Sequence, residues 1–155
     1  MNIRFSLVVL SLVSCAVGGA YAAGTWVFVN GIKNDSPYAV RVKSTDAGSE
    51  NRIDGRAYYK EPYVLRPHSS VETRITVPWQ TYGGVLEITV LKNKPSMKNM
   101  SVVTLQDTNG KVDVRGDAYV KNKGGNSMDK RGFFDKTKDV VVRIMKDGLV
   151  VIEQV

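Results

Sequence analysis

Apolar and polar side chains alternate with a period of two along most of this chain, and no segment carries a convincing helical period. The clearest stretch is SVETRITV, in which Val71, Thr73, Ile75 and Val77 share one face while Ser70, Glu72, Arg74 and Thr76 share the other. Successive strand side chains point to opposite sides, so the segment reads as a strand with one buried face. GVLEITVLK turns Leu86, Ile88 and Val90 inward in the same way, and YAVRVKS sets Val40 and Val42 against Arg41 and Lys43. Shorter candidates are TWVFVN, AYY, YVL, SVVTLQ, KVDV and AYV. About eight to ten short strands predict an all-β domain, a single antiparallel β-sandwich of immunoglobulin-like or jelly-roll-like plan.

Turn residues refine this expectation. Asp147-Gly148, between the apolar runs of DVVVRIMKDGLVVIEQV, predicts a C-terminal β-hairpin with a type I′ turn, whose two central residues both need positive φ. A two-residue turn pairs Ile144 with Val151 and Val140 with Val155 on one face, and Met145 with Val150 on the other. It also sets Glu153 opposite Val142 on the more apolar face, where either solvent or a basic neighbour has to meet it. Asn109-Gly110 reads as a second hairpin tip, and Ser36-Pro37, Arg66-Pro67 and Val77-Pro78 punctuate strand ends.

The first residues follow another pattern. MNIR carries positive charge and FSLVVLSLVSCAV follows without a charged residue, the order of a secretory signal peptide. The run is shorter than the roughly 20 apolar residues of a spanning helix. Ala20-Tyr21-Ala22 presents small residues at the cleavage positions, so residues 1–22 are expected to be removed and 23–155 to form one domain. A competing cut uses Leu12-Val13-Ser14-Cys15, which resembles the lipobox of bacterial lipoproteins. That resemblance implies lipid on Cys15 and anchoring to a bacterial membrane. Soluble export is preferred, because the lipobox cut leaves an apolar start, CAVGGAYAAGT, where a polar tether is expected. Cys15 is the single cysteine, so the domain has no internal disulfide. An export signal without a cysteine framework points to a bacterial periplasm or secretome.

The full chain has a net charge of +7, and loss of residues 1–22 leaves about +6. Basic residues gather in two loops, Lys92, Lys94 and Lys98 in the first and Lys121, Lys123, Lys130, Arg131, Lys136 and Lys138 around the second. The related strings LKNKPSMK and VKNKGGNSMDK occur only twice, too few for a repeat architecture. Charge of this sign would answer to nucleic acid, but export argues against that partner.

Catalytic constellations are sparse. His68 in RPHSS is the only histidine, and its neighbours Ser69 and Ser70 are adjacent in sequence rather than convergent from separate elements, as a triad requires. One histidine and no cysteine in the mature domain do not make a zinc site. Asp107 to Asp113 departs from a calcium loop at Lys111 and lacks a closing acid. Gly83-Gly84 and Gly124-Gly125 precede no helix that would cradle phosphate. The reading is therefore no enzyme, no cofactor and no metal. Its rival is a small secreted hydrolase assembled from Asp54, Glu61, Glu72 or Glu87. Arg115-Gly116-Asp117 resembles the integrin-recognition tripeptide, and flanking apolar alternation favours a tight turn between two strands there. Asn34-Asp-Ser36 and Asn99-Met-Ser101 match glycosylation sequons, which matter only in a eukaryotic secretory pathway.

Aromatic residues carry the binding expectation. Tyr58, Tyr59 and Tyr63 lie in RAYYKEPYV, and Trp79 and Tyr82 lie in the Pro- and Gly-framed VPWQTYGGV. Such rings on loops suit sugar faces, choline headgroups or a protein partner; packed inward, they cover the ends of the core. Phe133 and Phe134 in DKRGFFDKTK stand among cations, with Lys130 and Arg131 just before them. Rings ringed by lysines fit an anionic surface. Together these features predict an exported non-catalytic binding module that contacts an anionic membrane, a glycan or an envelope protein, with a structural subunit of an envelope assembly as the further alternative.

Overall fold

The computed structural model describes residues 26–45, 51–58, 61–92, 101–108, 111–121, 129–135 and 139–155, with backbone only for 129–135. Residues 1–22 with Cys15, Tyr59, the Asn109-Gly110 tip and most of the two basic loops lie outside the described residues.

The described chain is all-β, with twelve strands and one turn of 3-10 helix at Gln80–Tyr82. In order the strands are β1 (Phe28–Asn34), β2 (Ala39–Ser44), β3 (Arg52–Ile53), β4 (Arg56–Ala57), β5 (Tyr63–Leu65) and β6 (Ser69–Thr76). The second half supplies β7 (Leu86–Leu91), β8 (Ser101–Thr108), β9 (Lys111–Lys121), β10 (Asp129–Asp135), β11 (Val140–Ile144) and β12 (Val150–Gln154). Hydrogen bonding orders them β4-β3-β6-β1-β11-β12-β9-β8-β7-β2-β5, with β10 attached to β9.

Two expectations are corrected here. The sheet is mixed rather than antiparallel, because β1 runs parallel to β11 and β12 parallel to β9. In place of two separate layers there is one continuous sheet, curled into a half-barrel. Alternation fixes which side of each strand is dry, and that part holds: Ile75 and Val77, Leu86, Ile88 and Val90, and Val40 and Val42 are all buried. It does not fix which strand lies beside which. The parallel neighbours are separated by long excursions of chain, as parallel pairing requires, but these excursions are strands rather than the usual helix.

Curling brings the two ends of the path together around one valine-rich core that runs from Val27 to Ile152. Tyr58, just after β4, crosses to the other end: its hydroxyl donates to the Val42 carbonyl at 3.3 Å and accepts from the Ser44 N–H at 3.1 Å. Asn51 ties the same region to β6, its side-chain oxygen accepting from both the N–H and the hydroxyl of Thr76. That contact buries Thr76, which alternation alone assigns to the wet face.

The tripeptide Arg115-Gly116-Asp117 is not a turn. It lies within the eleven-residue β9. Residues Lys111 to Gly116 pair with β8, whereas Ala118 to Lys121 pair with β12, so the strand changes neighbour at Gly116. Gly116 has φ +104°, and a Cβ there would run into the Val102 carbonyl oxygen. Only glycine permits this corner.

At the C-terminus β11 and β12 are antiparallel, with Ile144 opposite Val150, Val142 opposite Ile152 and Val140 opposite Gln154. This register differs by one residue from the two-residue turn. The Gly148 N–H bonds the Met145 carbonyl and the Met145 N–H bonds the Leu149 carbonyl, leaving three residues in the loop. Gly148 alone has positive φ there, as in a type I turn closed by a glycine bulge. The physical reason is burial. A one-residue slip would turn Glu153 toward Val142 in the core, whereas the observed pairing sets Ile152 there and leaves Glu153 beside Val141. Arg143 approaches Glu153 at 4.0 Å. The type I′ geometry occurs instead at Asp54-Gly55, where both residues have positive φ and join β3 to β4.

Candidate functional site

The antiparallel pairing of β1 with β6 decides where the aromatic residues meet. Phe28 lies opposite Thr76, and beyond the strands the Val77 N–H continues the ladder to the Val27 carbonyl at 2.9 Å. Trp26, entering β1, therefore comes alongside Pro78 and Trp79, leaving β6. The two indoles meet edge to face, with centroids 5.9 Å apart and planes at 69°. This is a favoured aromatic geometry, since the positive edge of one ring faces the negative face of the other.

The segment after Trp79 folds into the 3-10 turn and reverses at Gly83, whose φ of +68° lets its N–H return to the Gln80 carbonyl. The loop is tied down on two sides. Gln106 of β8 donates to the Gly84 carbonyl at 2.8 Å, and the Asp107 N–H donates to the Pro78 carbonyl at 2.7 Å. Opposite them, the Thr45 hydroxyl accepts from the Val85 N–H at 2.7 Å. Gly84 packs so closely on Pro78 that a Cβ would lie 2.6 Å from the proline Cβ. A fixed backbone thus presents Tyr82, 87% exposed, and Trp26, 52% exposed, to solvent.

Between these rings lies an open cleft of about 380 Å³, lined by Trp26, Thr45, Pro78, Trp79, Tyr82, Gly83 and Gly84. None of those seven side chains carries a charge. Ligand clefts commonly combine apolar walls with a few polar groups, and Thr45 with the loop backbone supplies the latter.

The other expected contact residues are distributed differently. Tyr58 is 6% exposed and belongs to the core, so it is removed from any contact surface. Burial raises its phenol pKa above the ordinary value, reinforced by the negative charge of Glu61 and opposed by the hydrogen bond from Ser44. Tyr63 pairs with Val42 at the β5 edge and packs against the core. Lys130, Arg131, Phe133 and Phe134 stand on β10. Its backbone places Lys130 opposite Tyr119 and Phe133 opposite Asp113. Of the expected aromatic set, Trp79 and Tyr82 come together. Trp26, Thr45 and Pro78 were not anticipated as partners, because their proximity follows from strand pairing and leaves no local mark in the sequence.

Among the described residues no group of three or more His, Cys, Asp or Glu could hold a metal ion. Nor is any helix among them long and apolar enough to cross a membrane. The chain matches no known protein-family model, no curated protein and no solved structure.

Proposed function

We propose that this protein is an exported, non-catalytic binding module of a bacterial envelope or secretome, and that it takes a glycan at the Trp26–Trp79–Tyr82 cleft. The observation that supports this reading is the uncharged, aromatic lining of a cleft held by a rigid loop. A sugar ring offers apolar C–H faces to stack on indole and phenol rings and hydroxyls to meet Thr45 and backbone groups. An anionic headgroup would find no cationic side chain in that lining.

The test is co-sedimentation of the processed protein with insoluble bacterial cell-wall polysaccharide, compared with Tyr82→Ala. Tyr82 is so exposed that its truncation leaves the fold intact, and one stacking contact is worth about 0.5–1.5 kcal/mol. Binding is expected to weaken by roughly two- to tenfold at an unchanged melting temperature. Equal binding by both proteins, or capture of both by glycan-free anionic vesicles alone, would refute the glycan reading. The intact mass of the native protein decides the export route: an unmodified chain beginning at Ala23 supports soluble export, and acyl groups on Cys15 support anchoring.

A further inference from the structure

At the other end of the β1–β6 pair lies a second cleft of different character. It holds about 300 Å³ and is lined by Lys33, Asn34, Asp35, His68, Ser69, Ser70 and Lys146. β1 is seven residues long, so the two clefts stand roughly 25 Å apart at a strand rise of about 3.3 Å per residue. Three segments converge on the second one: the end of β1, the start of β6 and the turn between β11 and β12.

Its floor is fixed by buried polar groups. The Asn34 amide donates to the carbonyls of Tyr38 at 2.7 Å and Arg66 at 3.0 Å, and its oxygen accepts from the Ser36 N–H at 3.1 Å and hydroxyl at 2.7 Å. Ser36 in turn offers its carbonyl to the His68 N–H at 3.2 Å. These bonds lock the turn Arg66-Pro67-His68-Ser69 against the end of β1.

His68 occupies the third position of that turn with φ +51°. A proline at the second position followed by positive φ is the place where glycine is ordinarily favoured. A histidine there costs conformational energy that glycine would not, and its imidazole stands at the cleft. Neutral or charged, that ring offers at least one N–H. Lys33 and Lys146 bring two cations, Ser70 a hydroxyl, and Asp35 one negative charge that faces Lys33 at 3.6 Å. Donors outnumber acceptors, and the lysines outweigh the carboxylate by one charge.

We propose that this cleft is a phosphate-monoester site, in which Lys33, Lys146, His68 and Ser70 hold the phosphoryl oxygens while Asp35 restrains Lys33 in the free protein. The proposal is independent of the glycan cleft. Compact, doubly charged oxyanions suit ammonium point charges and fixed N–H donors, whereas a neutral ligand gains nothing from two lysines.

The test follows backbone amide shifts of the processed protein by NMR as inorganic phosphate replaces chloride at constant ionic strength. Saturable shifts at Lys33, His68, Ser70 and Lys146 are expected at roughly millimolar phosphate. Lys146→Glu should weaken binding by about tenfold or more, and Asp35→Asn should tighten it. His68→Gly separates a binding role from a turn role: affinity should fall several-fold while the melting temperature stays equal or rises, because glycine suits the turn better. Absence of saturable shifts, or unaltered affinity in His68→Gly, would overturn the proposal. A soluble sugar phosphate and phosphatidic acid vesicles form two further arms. Binding to the first assigns a phosphorylated carbohydrate, binding to the second alone assigns a lipid headgroup, and binding to neither overturns the site. Tyr82→Ala should leave phosphate binding unchanged, so failure of the glycan reading is distinguishable from failure of this one.

Discussion

Substituting Gly116 by alanine tests the corner at which β9 changes partners. The new methyl group faces backbone, the Val102 carbonyl, rather than the flexible end of a side chain, so it cannot be accommodated by a rotamer change. An L-residue at positive φ costs about 1–2 kcal/mol, and forcing a methyl into packed surroundings adds about 1–3 kcal/mol. The sum, about 2–5 kcal/mol, is a large part of the roughly 5–15 kcal/mol that stabilises an ordinary domain. Gly55→Ala is the control, since Gly55 has φ +70° but nothing within 4 Å of the added methyl. It should show the conformational cost alone. Urea unfolding followed by tryptophan fluorescence measures both; at a slope of about 2 kcal/mol/M the Gly116 variant should lose roughly 1–2.5 M in midpoint. Equal midpoints for the two variants would show that β9 does not turn its corner against Val102.

Tyr58→Phe removes the hydroxyl that bridges the two ends of the sheet and should cost about 1–2 kcal/mol near neutral pH by thermal melting. Because burial raises the Tyr58 pKa above the unfolded value, the folded protein holds the phenol proton longer than the unfolded chain does. The associated stability is complete below the unfolded pKa of about 10 and is lost as pH rises through the folded value. The variant should therefore lose less stability than the parent as pH rises above about 10, and parallel alkaline profiles would contradict this. Asn34→Ala breaks a four-bond hub and should destabilise by about 3–4 kcal/mol in urea, with accelerated hydrogen exchange at His68, whose amide depends on Ser36.

The strands were readable from the sequence because their signal is local. Val71, Thr73, Ile75 and Val77 mark one dry face without reference to any partner. Neighbour order was not readable, since β1 contacts β11 through residues more than a hundred positions away, such as Phe28 and Asp139, whose carboxylate accepts the Phe28 N–H. Turn dipeptides proved ambiguous for a physical reason. Asp54-Gly55 and Asp147-Gly148 share the same two residues, yet only the first adopts the two-residue turn, because at the second the burial of Ile152 over Glu153 outweighs local turn preference. The candidate site shows the same division. Trp79 and Tyr82 were marked by their Pro and Gly frame, whereas Trp26 looked like the start of a strand. Tyr58 and Tyr82, equally aromatic and equally close to turn residues, lie at opposite extremes of exposure.

The first described strand sits in the interior of the hydrogen-bonded path, between β6 and β11. One of its edges is satisfied by a segment some forty residues on, but the other waits for a strand more than a hundred residues on. A ribosome delivers residues in order, so β1 must leave it with an open edge, and the half-barrel cannot complete itself until β11 and β12 have been made. The sheet is therefore assembled out of sequence order, its interior strand being completed by a partner made long after it.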